Sequence, residues 1–377
     1  MDTAALVAFR RQLHMRPELS GEEAQTAADI VARLEVYRPD ALLHGLGGRG
    51  VAAVFDSGEP GPSVLFRCEL DALPIIETGT QDWRSRTPGK AHLCGHDGHA
   101  AILLGLAGHV ANSKPARGRV ILLFQPAEET GAGAPAVLAD PRFASIRPDY
   151  AFALHNLPGM PLGHVALRDG PMNFASEGLA IRLTGRTSHA SQPENGISPA
   201  GAMTELVTAL PKLPATLGIE PAKALATLVH ARLGEEAFGI SPGDALVMAT
   251  LRAIDDTTQA RLMRAAEALA GKTAQEHGLD LSLFRSDRFA ACANDPDAAT
   301  AVRAACRALD VPLGESPEPF RWSEDFGLFG SVAKAALFVL GAGEDCPPLH
   351  APDYDFPDDL IGTGVALFAR IAKDLCG

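Results

Sequence analysis

The sequence predicts an α/β domain with a central mixed sheet flanked by helices, interrupted by a smaller α+β domain. Strand and helix patterns alternate over the first 175 residues, the middle of the chain follows a β-α-β-β-α-β order, and α/β alternation resumes near residue 290. Alternating strands and helices are typical of a sheet covered on both faces. Because 377 residues exceed one typical domain, we expect one domain from residues 1–175 and 290–377 and another from 176–289.

The outer segments supply the elements of the larger domain. Apolar spacing predicts helices at 3–14 and 22–35, the second opened by a capping box of Ser20 and Glu23. The remaining elements before the insertion are strands at 51–55, 64–67, 119–124 and 150–154 and a buried helix at 98–111. After the insertion the pattern predicts a helix near 296–309, a strand at 335–340 and a final helix at 357–375.

The middle of the chain has a different character. Its predicted elements are a strand at 177–184, a helix at 198–213, strands at 222–233 and 244–254, a helix at 257–277 and a strand at 279–286. This order is that of the split βαβ, or ferredoxin-like, unit. We therefore expect the inserted domain to be a small antiparallel sheet with two helices.

Composition excludes several classes of partner. The chain has 33 Lys plus Arg and 46 Asp plus Glu, a formal net charge of -13, which argues against nucleic acid and anionic membrane partners. Six scattered cysteines show no disulfide framework and favour a reducing compartment. The N-terminal residues lack the pattern of a signal peptide, and no apolar run is long enough to cross a bilayer. We expect a cytoplasmic protein.

Two short segments carry the candidate chemistry. Cys94-Gly95-His96-Asp97-Gly98-His99 brings a thiolate and imidazoles together, and Gln125-Pro126-Ala127-Glu128-Glu129 places two carboxylates after an apolar strand. Divalent transition metals bind these side chains, and a spare carboxylate beside the metal can activate water. The simpler alternatives are a Gly-rich helix start that serves packing and a hydrated pair of surface carboxylates. We interpret the combination as the site of a metal-dependent hydrolase.

Further candidate ligands follow other predicted strands. His155 ends one strand, Asp71 follows another, and His350 lies in a Pro-rich loop. In open α/β sheets, ligands gather outside the carboxyl ends of strands. Adjacent residues on extended backbone point in opposite directions, so Glu128 and Glu129 should have different roles. One can bind a metal while the other faces the water, but spacing does not say which.

Two other residues have competing interpretations. His189 follows the first strand of the inserted domain, and the residues alone favour an exposed loop histidine. Cys94 could be a nucleophile, but it has no neighbouring general base other than the candidate ligands. Thiol catalysis is therefore disfavoured.

The motifs resemble those of the metal-dependent aminoacylase and carboxypeptidase family, in the branch of hippurate hydrolases, N-acyl-amino-acid amidohydrolases and auxin-conjugate hydrolases. The resemblance covers nearly the whole chain. The motifs that carry it are Arg11-Gln12-Leu13-His14 with Pro17-Glu18-Leu19, Glu69-Leu70-Asp71-Ala72-Leu73-Pro74-Ile75, the segments at 94–99 and 124–129, Leu154-His155-Asn156, His189-Ala190, Ser323-Glu324-Asp325-Phe326 and Leu349-His350-Ala351-Pro352.

The resemblance implies a two-metal site and a role for each matching residue. The residues that match the metal ligands are Cys94, His96, Glu129, His155 and His350. Glu128 matches the general base, and Asp71 matches a carboxylate that steadies a ligand or the base. The inserted domain matches a lid or dimerisation domain, whose His189 reaches the partner's active site and helps bind the developing oxyanion. The lid arginine is retained as Arg252, a candidate anchor for a substrate carboxylate.

The sequence departs from the family pattern at three positions. Glu69 stands where an Asp is usual, Glu194 replaces a second lid histidine, and Gly239 stands where an Asn usually contacts substrate. These departures leave the metal site intact and put the substrate contacts in question.

The expected reaction is hydrolysis of the amide bond of a small N-acyl amino acid or related conjugate by a metal-activated water, with Glu128 as general base and acid. Thiolate and imidazole favour zinc, and manganese, nickel and cobalt are also compatible with mixed S, N and O ligands. We expect two metals per subunit and a homodimer. The alternatives are a dipeptidase, a carboxypeptidase or another C–N hydrolase on the same site, and a metal-dependent binding protein without catalysis.

Overall fold

The computed structural model describes residues 2–377. Its helices are α1 Thr3–His14, α2 Ala24–Tyr37, α3 His96–Asn112, α4 Gly133–Ala139, α5 Ala200–Ala209, α6 Leu213–Thr216, α7 Asp256–Glu276, α8 Pro296–Ala308 and α9 Leu360–Cys376. Its strands are β1 Ala41–Leu46, β2 Gly50–Asp56, β3 Ser63–Glu69, β4 Arg119–Gln125, β5 Tyr150–Leu157, β6 Val165–Leu167, β7 Gly170–Asn173, β8 Ala175–Thr184, β9 Ser188–His189, β10 Ala224–Leu233, β11 Ile240–Ser241, β12 Asp244–Ala253, β13 Asp280–Phe289, β14 Cys292–Asn294, β15 Leu313–Glu315 and β16 Lys334–Gly341. No helix within residues 2–377 combines the length and apolar character that crossing a bilayer requires.

The chain divides into two compact units. The first contains the chain up to Met172 together with Cys292–Pro319 and Glu324–Gly377. The second contains Asn173–Ala291 and Phe320–Ser323.

The first unit is built on an eight-stranded mixed sheet with the order β1-β2-β4-β3-β5-β16-β6-β15. Its four central strands, β4, β3, β5 and β16, run parallel to one another. All of β3 is buried, as expected for a strand in the interior of a parallel sheet. Because these four strands are parallel, the loops that follow them leave from one edge of the sheet.

Both faces of this sheet are covered. On one face, Phe66, Phe152 and Phe338 belong to a buried cluster with residues of α1, α2, α3, α8 and α9. Phe368 of α9 packs on this face, with ring centroids 5.0 Å from Phe66 and 5.9 Å from Phe338. The residues between the apolar ones face the other way, where Arg67 contacts the 3-10 segment Asp325–Ser331. The predicted α/β fold with a mixed, helix-flanked sheet is confirmed.

The second unit contains a four-stranded antiparallel sheet with the order β10-β12-β8-β13. Along the chain its elements follow as β8, α5, β10, β12, α7 and β13, which is a β-α-β-β-α-β order. Alternate residues of β12 are buried, and they form an apolar cluster with residues of α5 and α7. One side of each strand therefore supplies the core of this unit.

Three details of the predicted helices were wrong. The capping box does not form, because α2 begins at Ala24 and Ser20 donates to the Asp71 carboxylate at 2.7 Å instead. Glu18 takes over the cap by accepting from the backbone of Thr26 at 2.7 Å. The helix predicted at 98–111 begins two residues earlier, at His96. The helix predicted at 198–213 ends at Ala209, where a 3-10 turn containing a proline interrupts it.

Candidate metal centre

The loops at the carboxyl edge of the first sheet bring the predicted ligands together. Asp71 follows β3, Glu128 and Glu129 follow β4, and His155 lies near the end of β5. His96 opens α3, immediately after the loop that carries Cys94. The loop with His350 is fixed by a backbone hydrogen bond from the His350 N–H to the Leu93 carbonyl at 2.8 Å. These links explain why residues far apart in sequence meet at one edge.

The donor atoms are spaced as atoms that share an ion would be. The Cys94 sulfur lies 3.5 Å from His155 Nε2. Glu129 Oε1 lies 3.8 Å from His96 Nε2 and 3.8 Å from His350 Nε2. Two donors bound to one tetrahedral ion at about 2.1 Å would be about 3.4 Å apart. The observed separations are close to this value.

The candidate donors form overlapping sets of three around the place where a cation would bind. Three of the sets with ligand atoms within 4.8 Å of one another are Cys94–His96–His155, Cys94–Glu129–His350 and His96–Glu128–Glu129. His96 Nε2 and Glu129 Oε1 are buried atoms without a hydrogen-bond partner. Buried polar atoms normally have partners, so these two atoms fit a site that a cation completes. The mixed sulfur, nitrogen and oxygen donors suit a divalent transition metal.

Two of the histidines are oriented by backbone carbonyls. His96 Nδ1 lies 2.8 Å from the Asp71 carbonyl, and His155 Nδ1 lies 2.8 Å from the Asn156 carbonyl. A carbonyl can only accept, so each Nδ1 carries the proton and donates it. Each Nε2 then presents its lone pair towards the other donors, which is the usual arrangement of a ligating histidine.

The Asp71 carboxylate holds the backbone of the Glu129 segment in place. Its Oδ2 accepts from the Glu129 backbone N–H at 2.9 Å and from the Ser20 hydroxyl at 2.7 Å. Burial opposes ionisation, but the nearby His96 and the hydrogen bonds from Ser20 and the Glu129 backbone outweigh it and lower the pKa of the Asp71 carboxyl. Asp71 therefore remains charged and holds the segment on which Glu129 lies.

The two adjacent glutamates differ in their surroundings. Burial, followed by repulsion from Glu324 and Glu129, holds the pKa of Glu128 well above its usual range. Burial also raises the pKa of Glu129, to about 7, although the nearby His96 opposes the shift. Glu128 Oε2 is 4.0 Å from His96 Nε2, slightly farther than Glu129 Oε1. A divalent cation would offset the repulsion among these buried carboxylates.

Sequence reasoning missed a buried ionic network beside the centre. Arg67 is fully buried and contacts Glu69, Glu324 at 2.8 Å and Asp325 at 2.6 Å. Its Nε also donates to Gln125 at 3.0 Å. A charged residue within an otherwise apolar strand is a signal that could have identified Arg67, because buried arginines are nearly always paired.

Another group of close donors involves Glu69, His96 and His99. Glu69 and His99 are already hydrogen-bonded to each other, with His99 Nδ1 2.6 Å from Glu69 Oε2. The departure of Glu69 from the usual Asp therefore lies in a satisfied pair that flanks the candidate ligands.

The remaining predicted residues belong to the second unit. His189 lies in β9 opposite Ile240, and its side chain is exposed. Its Nδ1 accepts from the Ser191 backbone N–H at 3.1 Å and lies 2.7 Å from the Ser191 hydroxyl. A neutral His189 therefore carries its proton on Nε2, the nitrogen that remains available as a donor.

Arg252 is held by contacts within the same unit. Its Nη1 donates to the Ser323 hydroxyl at 2.8 Å and to the Arg321 carbonyl at 3.1 Å. Burial lowers the pKa of Arg252. The structure thus brings seven predicted residues together in the first unit, and His189 and Arg252 lie in the second.

Comparison with known proteins identifies the family. Residues 65–374 match the model of "Peptidase family M20/M25/M40". The chain is 31% identical over 375 residues to the N-acetyl-L-cysteine deacetylase of Bacillus subtilis, covering 98% of this chain and 88% of that protein. It is 29% identical over 369 residues to the hippurate hydrolase of Campylobacter jejuni, covering 97% and 94%.

A solved structure shares the fold. It is a dinuclear metal-binding peptidase of Bacillus subtilis, with a TM-score of 0.82 and 24% identity, covering 99% of this chain and 98% of that chain. The resemblance inferred from the motifs is confirmed, and with it the prediction of a metal-dependent amidohydrolase. The chain belongs to peptidase family M20/M25/M40.

Proposed function

We propose that the protein hydrolyses the amide bond of small N-acyl amino acids or related conjugates, with Glu128 as general base and acid. The observation that carries this proposal is one buried carboxylate beside a complete set of soft and hard metal donors. Cys94, His96, Glu129, His155 and His350 are the proposed ligands. The names of two relatives, a deacetylase and a hippurate hydrolase, support the substrate class.

The metal and the general base have separate roles. A divalent metal held by the proposed ligands would lower the pKa of a water and polarise the scissile carbonyl. Glu128 takes a proton from the attacking water and returns it to the leaving amine. Glu128 suits this role because it is buried, and its Oε1 lies 3.4 Å from the Asp325 backbone N–H, which can steady the carboxylate.

His189 and Arg252 are proposed to contact the substrate. His189 Nε2 would donate to the developing oxyanion, since the hydrogen bond from the Ser191 backbone leaves the proton on that nitrogen. The Arg252 guanidinium would pair with the substrate carboxylate, with its orientation supported by Ser323. Following the family resemblance, His189 would act in the partner's site of a homodimer.

The cofactor is proposed to be two divalent transition metals per subunit, with zinc favoured over manganese, nickel and cobalt. Two metals are supported by the overlapping donor sets and by the dinuclear site named for the structural neighbour. A cytoplasmic location is supported by the six cysteines, all within residues 2–377, which are free.

The two adjacent glutamates provide a matched pair of variants. Glu128→Gln should keep its metal and lose about 10²- to 10⁴-fold in kcat, whereas Glu129→Gln should lose metal as well as activity. Metal content by plasma emission spectrometry and turnover on N-acyl amino acids measure the two effects. Near-normal turnover of Glu128→Gln would remove Glu128 from the role of base.

A substrate panel distinguishes the alternatives. We expect N-acetyl and N-benzoyl amino acids to be hydrolysed faster than dipeptides. The reverse order would assign a peptidase. A metal-loaded protein that turns over neither class would favour a binding protein without catalysis.

A further inference from the structure

Asn156 links the three segments that carry Cys94, His155 and His350. It directly follows His155, and its side chain is completely buried. Its Nδ2 lies 2.7 Å from the carbonyl of Cys94, and its Oδ1 lies 2.5 Å from the hydroxyl of Tyr354. Tyr354 is four residues beyond His350. One amide group on the His155 segment therefore contacts both of the other ligand-bearing segments.

The orientation of this amide follows from a single partner. The Cys94 carbonyl can only accept, so the atom facing it must be the NH₂ group of Asn156. The Asn156 oxygen then faces Tyr354, which must donate its hydroxyl proton. This assignment leaves no ambiguity between the two ends of the amide.

The same chain of donors fixes His99. The backbone N–H of Asn156 donates to His99 Nε2 at 3.1 Å, so the proton of neutral His99 lies on Nδ1. That proton is donated to Glu69 at 2.6 Å, and Glu69 in turn contacts Arg67. The directed chain thus runs from Tyr354 through Asn156 and His99 into the buried ionic network.

The loop of Cys94 lies directly against this chain. A Cβ atom on Gly95 would lie 2.3 Å from Asn156 Nδ2 and 2.9 Å from the Tyr354 oxygen. Gly95 also has a φ of 91°, which disfavours a side chain. The backbone between Cys94 and His96 is therefore held in contact with the Asn156–Tyr354 pair.

We propose that Asn156 is a positioning residue that, with Tyr354, sets the metal affinity of the centre by fixing the Cys94 loop relative to His155 and His350. Asn156 does not touch the metal or the substrate in this role. The inference rests on the ligand set proposed above. Hydrogen-bonded partners behind metal ligands typically change metal affinity by about 10- to 100-fold when they are mutated.

The near-isosteric variant Asn156→Asp tests the polarity of the amide. It replaces the NH₂ donor by an oxygen, which would face the Cys94 carbonyl and the acceptor nitrogen of His99. We expect the affinity for Zn²⁺ and Co²⁺, measured by chelator competition, to fall about 10- to 100-fold. In the Co²⁺ protein, we expect the thiolate-to-cobalt absorption of Cys94 to weaken or shift. A general loss of stability would not change that spectrum in the metal-loaded protein.

A matched control is available at Asn294. It is also buried, and its Nδ2 donates to the carbonyls of Leu337 at 2.8 Å and Arg168 at 3.0 Å. Asn294→Asp therefore places a carboxylate against backbone carbonyls without contacting a proposed ligand. We expect its metal affinity and Co²⁺ spectrum to match those of the unmodified protein. Equal losses in Asn156→Asp and Asn294→Asp would overturn the proposal.

Tyr354→Phe decides the question if Asn156→Asp does not fold. It removes only the hydroxyl, and we expect a several-fold loss of metal affinity and a smaller spectral shift. Tyr150→Phe, at the other end of β5 from His155, is its control. Unchanged affinity and spectrum in Tyr354→Phe would overturn the proposal. An unmodified protein that binds no divalent metal would instead refute the metal centre itself, and one that binds metal without hydrolysing amides would refute only the proposed reaction.

Discussion

The carboxyl edge of the first sheet and the loop of His189 in the second unit are held in place by different kinds of contact. In the first region, His96, Glu128 and His155 are at most 5% exposed. In the second region, His189 and Glu194 are exposed. A Cβ atom on Gly239 would have no neighbour within 4 Å. The first region is fixed by buried contacts, and the second mainly by backbone pairing.

The three positions that depart from the pattern of the resemblance, Glu69, Glu194 and Gly239, are divided between the two regions. Glu194 and Gly239 lie in open loops, where a substitution leaves no buried partner unsatisfied. Glu69 lies in the buried region, and its longer side chain is accommodated because both Arg67 and His99 contact it. A substitution at a buried polar position disturbs its hydrogen-bonded partners, whereas a substitution at an exposed position leaves no buried partner unsatisfied.

The largest expected effect is the loss of folding stability when Arg67, the cation of the buried ionic network, is replaced. Arg67→Met would leave three carboxylates without their cation, so we expect a loss of about 3–5 kcal/mol in the free energy of unfolding. Urea denaturation of chelator-treated protein measures it. Arg370→Met, which breaks an exposed pair with Asp374, should cost no more than about 1 kcal/mol. A similar cost for both variants would contradict the contrast between buried and exposed charges.

Removal of the His189 imidazole tests the open region. His189→Ala should lower kcat by about 10²- to 10³-fold, because it removes a donor to the oxyanion. Metal content and urea stability should remain unchanged. His277→Ala, a change at another histidine of the second unit, is the control. If His189→Ala instead released metal, the functional separation of the two regions would fail.

A pH effect on stability is expected at His14, a buried histidine of α1 in the first unit. His14 contacts Asp97 at 2.8 Å and Glu77 at 3.1 Å. Burial lowers the pKa of His14, but the two carboxylates outweigh it and raise the pKa to about 9. This raised pKa stabilises the folded state fully below about pH 6.5, and the stabilisation is lost as the pH rises through 9.

The variant His14→Gln measures this contribution. The shift corresponds to at most roughly 3 kcal/mol, so the gap in stability between the unmodified protein and the variant should narrow from pH 6 to pH 10. Urea denaturation of both proteins without metal measures the gap. A constant gap would show that His14 does not titrate in this range.

The smallest expected effect is on the stability of the second unit when Gly271 is replaced, and Gly95 in the first unit provides the comparison. Gly271 lies in α7, and a Cβ atom there would meet nothing within 4 Å, so Gly271→Ala should stabilise the second unit by about 0.5–1 kcal/mol. Gly95→Ala should destabilise the first unit, because its Cβ would collide with Asn156. Thermal unfolding followed by circular dichroism compares the two. Stabilisation by Gly95→Ala would contradict the tight packing of the Cys94 loop.

The sequence predicted those features that depend on local patterns. Alternating strands and helices identified the mixed sheet, and the segments at 94–99 and 125–129 located the candidate ligands. Local spacing was misleading at Ser20 and Glu23, because Ser20 bonds to Asp71, 51 residues away. A prediction based on neighbouring residues cannot identify a hydrogen-bond partner that is distant in the sequence.

The supporting residues could not be identified in this way. Asn156 and Tyr354 meet across 198 residues, and Arg67 and Asp325 across 258. Their roles depend on the strand order, which brings β3, β4 and β5 together. The choice between Glu128 and Glu129 was also left open by spacing, and their different burial and distances now motivate the proposed roles.

The position of His350 late in the chain has a consequence for biosynthesis. Four of the five proposed ligands lie between residues 94 and 155, and the fifth follows His155 by 195 residues. At a synthesis rate of about 5–20 residues per second, the ribosome needs roughly 10–40 s to add this stretch. A nascent chain therefore exposes an incomplete set of thiolate, imidazole and carboxylate groups throughout that interval. With these five proposed ligands, full metal loading requires synthesis of the chain through at least His350.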